Sequence, residues 1–544
     1  MQLNWVSERH LRCIVERGGA GTAARASRKA GIAGLLEATP AYETVLLEFD
    51  AARLETAALE GQVRAALKSL RDEVAVIPAV VEIPVCYQGE YAPDLEEVAR
   101  EVGRSPADIV TLHSGAEYAS IFVGFMPGFA YLDGLPPALQ VPRLDRPRSR
   151  VPAGSVGIAG DQAGVYPLAS PGGWRLIGRT PRRMFDAARA APALIAAGDR
   201  VKFVPIDAMT FRELERQEAA AAAKSAADGG RESLRVLEPG MLTTVQDLGR
   251  PGWADMGVVA GGAADSLSLR IGNRLVGNEA GAAGLEMTLT GGVFECLGDA
   301  LVAVTGGDVS ADVEGGATVP MWKASRLAKG NRLRIGRVQR GARAYLCIAG
   351  GVDVPVVLGG RGTHLAAGFG GFEGRRLAKG DVLRAGEQIG TPRPLGVEEI
   401  EEIRRLLFRH ELTCVPGPQF DEFTGEAWLW SEHRVSVQSD RVGVRLQHAA
   451  GKSLEGGKRE RTGTGGRMVS EGMMWGAVQV PEHGSPIVLG VDHPTTGGYP
   501  VAAVVTAADL PALGQLAPGA RVGLRLISVD EARASARRVS VSWR

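Results

Sequence analysis

The first part of the chain carries two kinds of hydrophobic pattern. Strands are predicted at residues 41–50 and 80–87, and apolar side chains at helical spacing predict a helix at residues 54–70. Another helix start lies at residues 93–97, where a proline is followed by acidic residues. Residues 121–204 consist of short strands separated by glycine and proline turns. This order predicts a small α/β unit followed by a mainly β unit.

The second half of the chain is mostly β, with few helices. Asp265 or Ser266 is placed to cap a helix that ends before Gly277. Further helices are predicted at residues 398–410 and at residues 506–515, the latter with Thr506 as its cap. Short apolar runs bounded by glycine predict strands at 301–305, 343–348, 434–438 and 487–491.

Residues 211–233 separate these two bodies. The segment is charged, then contains five consecutive alanines, and then ends in a glycine pair, with no apolar stripe that could dock on a core. It predicts a linker between residues 1–210 and residues 234–544.

The glycine and proline content indicates many tight turns. The 544 residues include 73 glycines and 30 prolines without a collagen period, as expected for many short strands. One pattern of hydroxyl, two glycines and an aromatic occurs twice, at residues 170–174 and 495–499. Either the chain contains a repeated barrel unit, or the pattern occurs twice by chance because glycine pairs are frequent in this chain.

Charge and cysteine content exclude several classes of protein. Lys plus Arg and Asp plus Glu both number 62, which argues against a nucleic-acid binder or a membrane-surface protein that acts through bulk positive charge. The five cysteines stand singly, without zinc-ligand spacing, so no metal site is predicted and a reducing compartment is favoured. No signal pattern or membrane-spanning run is found, and we expect a cytoplasmic protein.

Nucleotide-binding signatures are incomplete. Gly451, Lys452 and Ser453 resemble the end of a P-loop, but its first glycine would fall at Leu446. A GxGxxG sequence that opens a helix after a strand is absent. If ATP is used, it is bound in a way that these motifs do not describe.

Polar side chains among glycines mark four candidate segments. Gly-rich turns let backbone N–H groups approach an oxyanion or a carboxylate. The alternative is structural: glycine in β structure usually marks bends, so these turns close barrels, and most ion pairs of this kind hold turns. The candidate binding residues are Arg150, Gln162, Tyr166, Ser170, Gly172 and Gly173 in the first segment, Arg250 beside Asp247 in the second, Asp440 and Arg441 in the third, and Thr495, Thr496 and Gly497 in the fourth.

The fourth segment also contains Asp492 and His493. Histidine is the natural general base near neutral pH, so these residues and His113 are the candidate catalytic groups. The alternative is a solvated or hydrogen-bonded His–Asp pair without a catalytic role.

Together the four segments resemble the carboxyltransferase-like family. This family is shared by the B and C components of the bacterial ATP-dependent 5-oxoprolinase, the Kip pair of sporulation-kinase inhibitors, and the carboxyltransferase part of urea carboxylase (urea amidolyase), whose domains are also known as the allophanate hydrolase type. Residues 80–205 resemble the B component and residues 234–527 resemble the C component. The chain therefore looks like a natural B–C fusion.

The resemblance implies a mainly β (α+β) fold with cyclophilin-like β-barrels and a small N-terminal α/β unit. The expected division is an N-terminal α/β unit at 1–79, a B-like barrel at 80–210, the linker at 211–233, a first C-like barrel unit at 234–397 and a second at 398–544.

The resemblance also implies chemistry on an amide. The favoured function is hydrolysis of 5-oxo-L-proline to L-glutamate with ATP as co-substrate, with or without Mg²⁺, and with a separate 5-oxoprolinase A component of the LamB/YcsF type. The alternatives are the carboxyltransferase component of a urea carboxylase, or a Kip-like regulator of a histidine kinase. No Ala-Met-Lys-Met site for covalent biotin is present. Pairing of two fused chains is left open.

Overall fold

The structure, a computed structural model, describes residues 2–51, 55–69, 80–220, 229–423, 427–448, 468–481 and 484–542. The P-loop-like residues Gly451, Lys452 and Ser453 and the linker residues 221–228 lie outside the described residues. Four units follow one another along the chain, and we call them the N-terminal unit, barrel 1, the central unit and barrel 2.

The N-terminal unit is an antiparallel four-stranded sheet, in the order β1-β2-β4-β3, covered by two helices. Small residues on the first helix, such as Ala20, Ala23 and Ala24, are buried and let it approach Leu11 and Leu47 closely. The elements are β1 Gln2–Trp5, β2 His10–Ile14, α1 Ala20–Lys29, β3 Leu35–Pro40, β4 Thr44–Phe49 and α2 Thr56–Ser69.

Barrel 1 is a closed seven-stranded barrel in the order β10-β7-β6-β13-β5-β12-β9, with a separate two-stranded ribbon of β8 and β11. Its first and last strands, β5 and β13, pair in parallel and close the ring. The elements are β5 Val80–Cys86, α3 Leu95–Glu101, α4 Pro106–Gly115, β6 Tyr118–Val123, β7 Ala130–Asp133, β8 Arg148–Val151, β9 Ser155–Ala159, β10 Gln162–Val165, β11 Ser170–Gly172, β12 Arg175–Arg179 and β13 Arg200–Ile206.

The start of the predicted linker is a docked helix, α5 Ala208–Ala220. Phe211 is buried, and its ring centroid lies 4.3 Å from that of Tyr91. Glu218 pairs with Arg182 at 3.2 Å. The expectation that this whole segment lacks a docking face is therefore wrong for residues 211–220, because one aromatic side chain and one ion pair suffice to anchor the helix. It is also wrong for residues 231–233, which already belong to the first strand of the central unit, Arg231–Glu238.

The central unit consists of two sheets around one core. A six-stranded sheet has the order β19-β21-β17-β14-β24-β23 and a five-stranded sheet has the order β15-β16-β22-β18-β20. Neither sheet closes on itself, so the barrel expected over residues 234–397 is replaced by an open two-sheet arrangement. The elements are β14 Arg231–Glu238, β15 Leu242–Gln246, α6 Ser266–Val276, β16 Gly284–Thr288, β17 Val293–Cys296, β18 Ala300–Asp308, β19 Ala311–Val313, β20 Ala324–Leu327, β21 Arg332–Ile335, β22 Arg340–Ile348, β23 Val352–Asp353 and β24 Val382–Ala385.

Barrel 2 follows helix α7 Val397–Leu407 and is closed in the order β25-β32-β29-β30-β27-β26-β33, with a ribbon of β28 and β31. The single helix expected at 506–515 is divided into a 3₁₀ turn, Ala507–Asp509, and the short α8, because Pro511 is tolerated only in a first helical turn. The elements are β25 Glu411–Pro416, β26 Glu432–Val435, β27 Gly443–His448, β28 Glu471–Gly472, β29 Ala477–Gln479, β30 Ile487–Leu489, β31 Thr496–Gly497, β32 Val501–Val505, α8 Leu510–Gly514, β33 Arg521–Leu526 and α9 Val529–Ser542.

The two barrels have the same strand order. Barrel 1 runs around the ring as β5-β13-β6-β7-β10-β9-β12, and barrel 2 as β25-β33-β26-β27-β30-β29-β32, so the strands correspond one to one. In both, the first and last strands are parallel. The repeated sequence pattern lies on the corresponding ribbons: residues 170–174 begin on β11 and residues 495–499 include β31. The barrel-repeat interpretation is therefore the right one.

The N-terminal unit contacts each of the other three units. Arg17 pairs with Asp133 of barrel 1 at 2.9 Å, and Arg28 pairs with Asp255 of the central unit at 2.6 Å. On barrel 2, Arg12 pairs with Glu471 at 3.2 Å. The pairs made by Arg28 and Arg12 connect the first half of the chain to the second.

Two further features bear on the environment of the protein. All five cysteines are buried and free. Within the described ranges, no helix combines the length and the apolar character that crossing a membrane requires.

Candidate functional site

The loop of residues 124–128, between β6 and β7, joins the two halves. Its Phe125 has a φ of 68°, a left-handed conformation that is strained for a bulky residue and that is concentrated at functional sites. The Gly128 N–H donates to the Met256 carbonyl at 2.9 Å. At Gly124, an added Cβ would lie 2.6 Å from Oγ1 of Thr496. Glycine corners of barrel 1, the central unit and barrel 2 thus meet at this loop.

A buried aromatic cluster of barrel 1 lies beside this loop. The ring centroid of Phe129 lies 5.3 Å from that of Tyr166 and 5.6 Å from that of Trp174. Burial raises the pKa of Tyr166 to about 12, and its hydroxyl is held by the backbone of Trp174. The hydroxyl of Tyr131 is near Thr496 and Ser470 of barrel 2. The cluster therefore reaches across to the second half.

The remaining candidates of barrel 1 lie around its ribbon. Ser170 pairs with Val151 across the ribbon, and its buried Oγ has no hydrogen-bond partner among the described residues. The Gly172 Cα is so close to the Tyr166 hydroxyl that a Cβ would lie 2.5 Å from it. Gly173 and Gln162 lie nearby, whereas Arg150 is exposed on β8.

A buried ion cluster joins barrel 2 to the central unit. Arg441 donates from Nε to Asp492 at 2.7 Å, from one terminal nitrogen to Glu286 at 2.5 Å, and from the other to the Gly262 carbonyl at 2.7 Å. Burial acts to raise the pKa of Asp492, but the Arg441 charge outweighs it and holds that pKa below its usual value. Asp492 is therefore an ionised partner of Arg441.

Arg343, whose Nε lies 3.5 Å from Oε1, and two neutral donors complete the surroundings of Glu286. The Tyr345 hydroxyl donates to its Oε2 at 2.7 Å and the Ala264 N–H at 2.9 Å. Asp265 lies beside this cluster, and burial raises its pKa to about 6. Gln515 of barrel 2 donates a hydrogen bond to Asp265 of the central unit at 2.7 Å, and this contact links the two units. Sequence reasoning missed Glu286, although it stands within the second candidate segment.

Asp440 and Arg250 hold loops. The Asp440 carboxylate accepts the Val442 N–H at 2.8 Å and thus forms a turn. Arg250 donates to the Val357 carbonyl at 3.2 Å, and its guanidinium lies 4.9 Å from the ring centroid of Phe369. Both residues therefore shape the loops that border Arg441 and Asp492.

His493 is held by a backbone hydrogen bond that fixes its tautomer. Its Nδ1 lies 2.9 Å from the Pro494 carbonyl, which can only accept, so Nδ1 carries the proton and Nε2 bears the lone pair. Burial lowers the pKa of His493, so the ring is neutral at pH 7. The nearby Oγ1 of Thr495 is buried without a partner among the described residues. Gly497 pairs with Glu471 on the same ribbon.

His113 lies apart from all of these groups. It is buried in barrel 1, with Nδ1 2.8 Å from the Tyr87 hydroxyl and its ring stacked 4.5 Å from that of Phe203. Burial lowers its pKa to about 3. This environment argues against a role for His113 as a base that contacts substrate.

We expect His113 to make stability depend on pH. The unfolded chain binds a proton at this residue below about pH 6.5, but the folded protein does not until about pH 3. Stability is therefore lost as the pH falls, by about 2 kcal/mol from this residue between pH 7.5 and pH 5. In His113→Phe the fall in Tm over this range should be smaller than in the parent protein. A fall equal to that of an exposed control, His410→Phe, would contradict the assignment.

The candidate residues thus form two neighbouring groups and one outlier. The first group lies on strand β10 and the ribbon of barrel 1 and comprises Gln162, Tyr166, Ser170, Gly172 and Gly173. In the adjacent loop of residues 124–128, Gly124 contacts Thr496 of barrel 2. Arg441, Asp492 and His493 form the second group. In the described part of the chain, no cluster of His, Cys, Asp and Glu side chains suits a metal ion.

Family models match both halves of the chain. The model described as carboxyltransferase domain, subdomain C and D, matches residues 15–195. The model described as carboxyltransferase domain, subdomain A and B, matches residues 256–526.

Among curated proteins, the C component of the 5-oxoprolinase of Escherichia coli (strain K12) is 39% identical over 302 residues, which cover 55% of this chain and 93% of that protein. The B component of the 5-oxoprolinase of Bacillus subtilis (strain 168) is 39% identical over 194 residues, 34% of this chain and 81% of that protein. Urea amidolyase of Saccharomyces cerevisiae is 33% identical over 326 residues, but these are only 17% of that protein.

Solved structures resemble most of the chain. The crystal structure of TTHA0988 superposes with a TM-score of 0.79 at 34% identity and covers 96% of this chain and 100% of that chain. The Kluyveromyces lactis urea carboxylase superposes with a TM-score of 0.50 at 23% identity, covering 73% of this chain and 38% of that chain, and shares the fold.

Proposed function

The chain belongs to the carboxyltransferase-domain family, with subdomains C and D in its first half and A and B in its second, and from this we propose that it is the B–C component of an ATP-dependent 5-oxoprolinase. Together with a separate A component of the LamB/YcsF type, it hydrolyses 5-oxo-L-proline to L-glutamate. The observation that carries this proposal is that one chain resembles the B component in its first half and the C component in its second. The two halves are docked through the loop of residues 124–128.

The chemistry of a lactam explains why such a site is useful. Ring opening adds water across the C–N bond: a hydroxyl oxygen joins the carbonyl carbon, the bond to nitrogen breaks, and the nitrogen takes a proton. An amide resists attack, so negative charge that develops on its oxygen must be stabilised by donors, while a base handles the proton. ATP supplies the free energy that activates the amide.

The described residues support a division of these roles. His493 acts as the base through Nε2, and the unpartnered hydroxyl of Thr495 donates to the developing oxyanion. Asp492 is occupied by Arg441, so we propose that it positions the segment of residues 490–497 and does not itself take the proton. The five free cysteines are consistent with a reaction in the cytoplasm.

The function is tested by incubating the chain with its candidate A component, ATP and 5-oxo-L-proline. Formation of glutamate and ADP is the expected result.

A second candidate is the carboxyltransferase component of a urea carboxylase, which the similarity to urea amidolyase supports. Carboxylation of urea in the presence of a biotinylated carrier, without any glutamate, would favour that candidate and overturn the first.

Substitution of His493 tests its role as base. His493→Ala should lower kcat by about 100-fold, within the range of general base catalysis, and leave KM nearly unchanged. The exposed His410→Ala is the matched control and should keep full activity. Unchanged turnover in His493→Ala would remove this residue from the mechanism.

A further inference from the structure

His364 of the central unit is a buried histidine that the roles proposed above do not use. It lies in the long connection between β23 and β24, and 7% of its surface remains exposed. Two features connect it with the site: the tautomer of its ring, and its position where barrel 1, the central unit and barrel 2 meet.

The ring of His364 is a hydrogen-bond donor. The Ala367 N–H, which can only donate, lies 3.2 Å from Nδ1, so Nδ1 bears the lone pair and Nε2 carries the proton of the neutral ring. The ring stacks on Phe369 with a centroid distance of 5.1 Å, which fixes its orientation. Burial lowers the pKa of His364, so the ring is neutral at pH 7.

The Nε2–H group of His364 is available to a ligand. It has no hydrogen-bond partner among the described residues, and the fold does not enclose it completely. A nearly buried donor without a partner is unfavourable, so an acceptor oxygen of a bound molecule would stabilise it.

Aromatic contacts connect His364 to barrel 1. The ring centroid of Phe369, on which His364 stacks, lies 5.7 Å from that of Phe185. Phe185 in turn packs on the loop of residues 124–128, where a Cβ on Gly128 would lie 2.8 Å from that of Phe185. His364 therefore lies beside the loop through which the two halves are docked.

A loop of the central unit connects Phe369 to Asp492 of barrel 2. The Arg250 guanidinium lies 4.9 Å from the ring centroid of Phe369, and the Arg250 N–H donates to the Ala260 carbonyl at 2.8 Å. At the next residue, Gly261, a Cβ would lie 3.6 Å from Oδ1 of Asp492. The contacts that begin at the histidine ring thus reach the carboxylate of barrel 2.

The charges around the ring agree with this position. The negative charge of Asp492 opposes in part the effect of burial on the pKa of His364, whereas the charge of Arg250 adds to that effect. Asp492 also acts to raise the pKa of His493. Both histidines therefore lie within electrostatic range of one carboxylate, His364 from the central unit and His493 from barrel 2.

We propose that His364 donates a hydrogen bond from Nε2 to the carbonyl oxygen of the amide substrate. His493 offers a lone pair at Nε2 and His364 offers a proton at Nε2, so two neutral rings supply the base and the donor that attack on an amide needs. His364 keeps its proton throughout, and together with Thr495 it stabilises the charge that develops on the oxygen. This assignment deepens the proposed function and rests on it.

Two substitutions separate a donor from a merely structural ring. His364→Asn can still accept the Ala367 N–H through its amide oxygen but has no donor at the position of Nε2, whereas His364→Gln can place an amide N–H there. We expect His364→Asn to lower kcat by about 100-fold with KM and Tm nearly unchanged, and His364→Gln to lose less than about 10-fold. The exposed His410→Asn is the matched control and should keep full activity.

A structural role predicts the opposite order, because only asparagine keeps the contact with Ala367. That order, or an unchanged kcat in His364→Asn, would overturn the assignment. The pH dependence of kcat gives a further readout. Because His364 keeps its proton, the acid limb of the profile should lie at the same pH in His364→Asn as in the parent, and its disappearance would identify His364 as the base instead of a donor.

Infrared spectra of the bound amide make the outcome independent of turnover. The probes are 5-oxo-L-proline and urea, each labelled with ¹³C at the carbonyl and bound to the full chain. A hydrogen bond to the oxygen weakens the C=O bond, so the carbonyl band of a bound probe should lie at a lower wavenumber in the parent than in His364→Asn.

The two probes also separate this assignment from the proposed function. If the A component yields no glutamate but the band of bound urea differs between parent and variant in this way, the proposed function fails and the donor role of His364 stands. The same band position in parent and His364→Asn for both probes, or no binding of either probe to the parent, would overturn the assignment.

Discussion

Arg441→Ala is expected to lower the free energy of unfolding by about 3–5 kcal/mol and to abolish turnover, because removal of one partner of a buried ion pair costs this amount. Arg441 bonds both Asp492 and Glu286 in a buried site. Without Arg441 the buried Asp492 loses its ion-pair partner, and Glu286 keeps only Arg343, whose Nε lies 3.5 Å from the Glu286 Oε1. Urea unfolding measures the first effect and the glutamate assay the second.

Controls separate the charge cluster from general damage. Arg445→Ala removes an exposed arginine of the adjacent strand β27 and should change stability by less than about 0.5 kcal/mol. Adding Asp492→Asn to Arg441→Met should recover part of the lost stability, because Asp492 is then uncharged while Glu286 keeps Arg343 as its ion-pair partner at 3.5 Å. If Arg441→Ala lowered the free energy of unfolding by less than about 1 kcal/mol, the ion cluster would not stabilise the contact between barrel 2 and the central unit.

Local features of the fold could be predicted from the sequence. Helix α6 has Asp265 as its cap, with the side chain accepting the Ser268 N–H, and ends at Gly277 with a φ of 78°. Both signals lie within the helix and its two flanking residues, so no distant contact is needed to find them. The signals for the strands at 80–87 and 343–348 and for the repeated ribbon are likewise local.

Features that depend on distant contacts could not be predicted. Glu286 and Arg441 are separated by 155 positions, and neither has a sequence signal for the other. Alternation of apolar and polar residues is the same in a closed barrel and in an open pair of sheets, so it could not distinguish the central unit from the barrels. His113 was a plausible base by residue type, and only burial identifies it as a core residue.

The repeat explains how two similar barrels contribute differently. When the two ribbon patterns are aligned, Pro167 and Leu168 of barrel 1 correspond to Asp492 and His493 of barrel 2. The ionisable groups therefore occur in barrel 2, whereas the corresponding positions of barrel 1 are apolar. We infer that barrel 1 supplies binding surfaces and that barrel 2 supplies the proton-transfer group.

Gly257→Ala tests whether contact between the halves is needed for activity. Gly257 has a φ of 76°, and a Cβ there would overlap the carbonyl of Met126 in the loop of residues 124–128. We expect a loss of stability of about 1–2 kcal/mol from the left-handed backbone and a further loss of about 1–3 kcal/mol from the overlap. Because backbone atoms must move, the loop should separate from the central unit and turnover should fall by more than about 10-fold.

Gly252→Ala is the matched control, since it lies in the same loop with a φ of 99° but has no atom within 4 Å of an added Cβ. It carries the cost of the left-handed conformation without the overlap, and it keeps the N–H that donates to Glu37 at 2.7 Å. The difference between the two variants in urea unfolding and turnover therefore isolates the contact between the halves. If both variants lost the same free energy of unfolding and the same turnover, the contact between the halves would contribute to neither quantity, and only backbone strain would matter. The site would then have to lie within a single barrel.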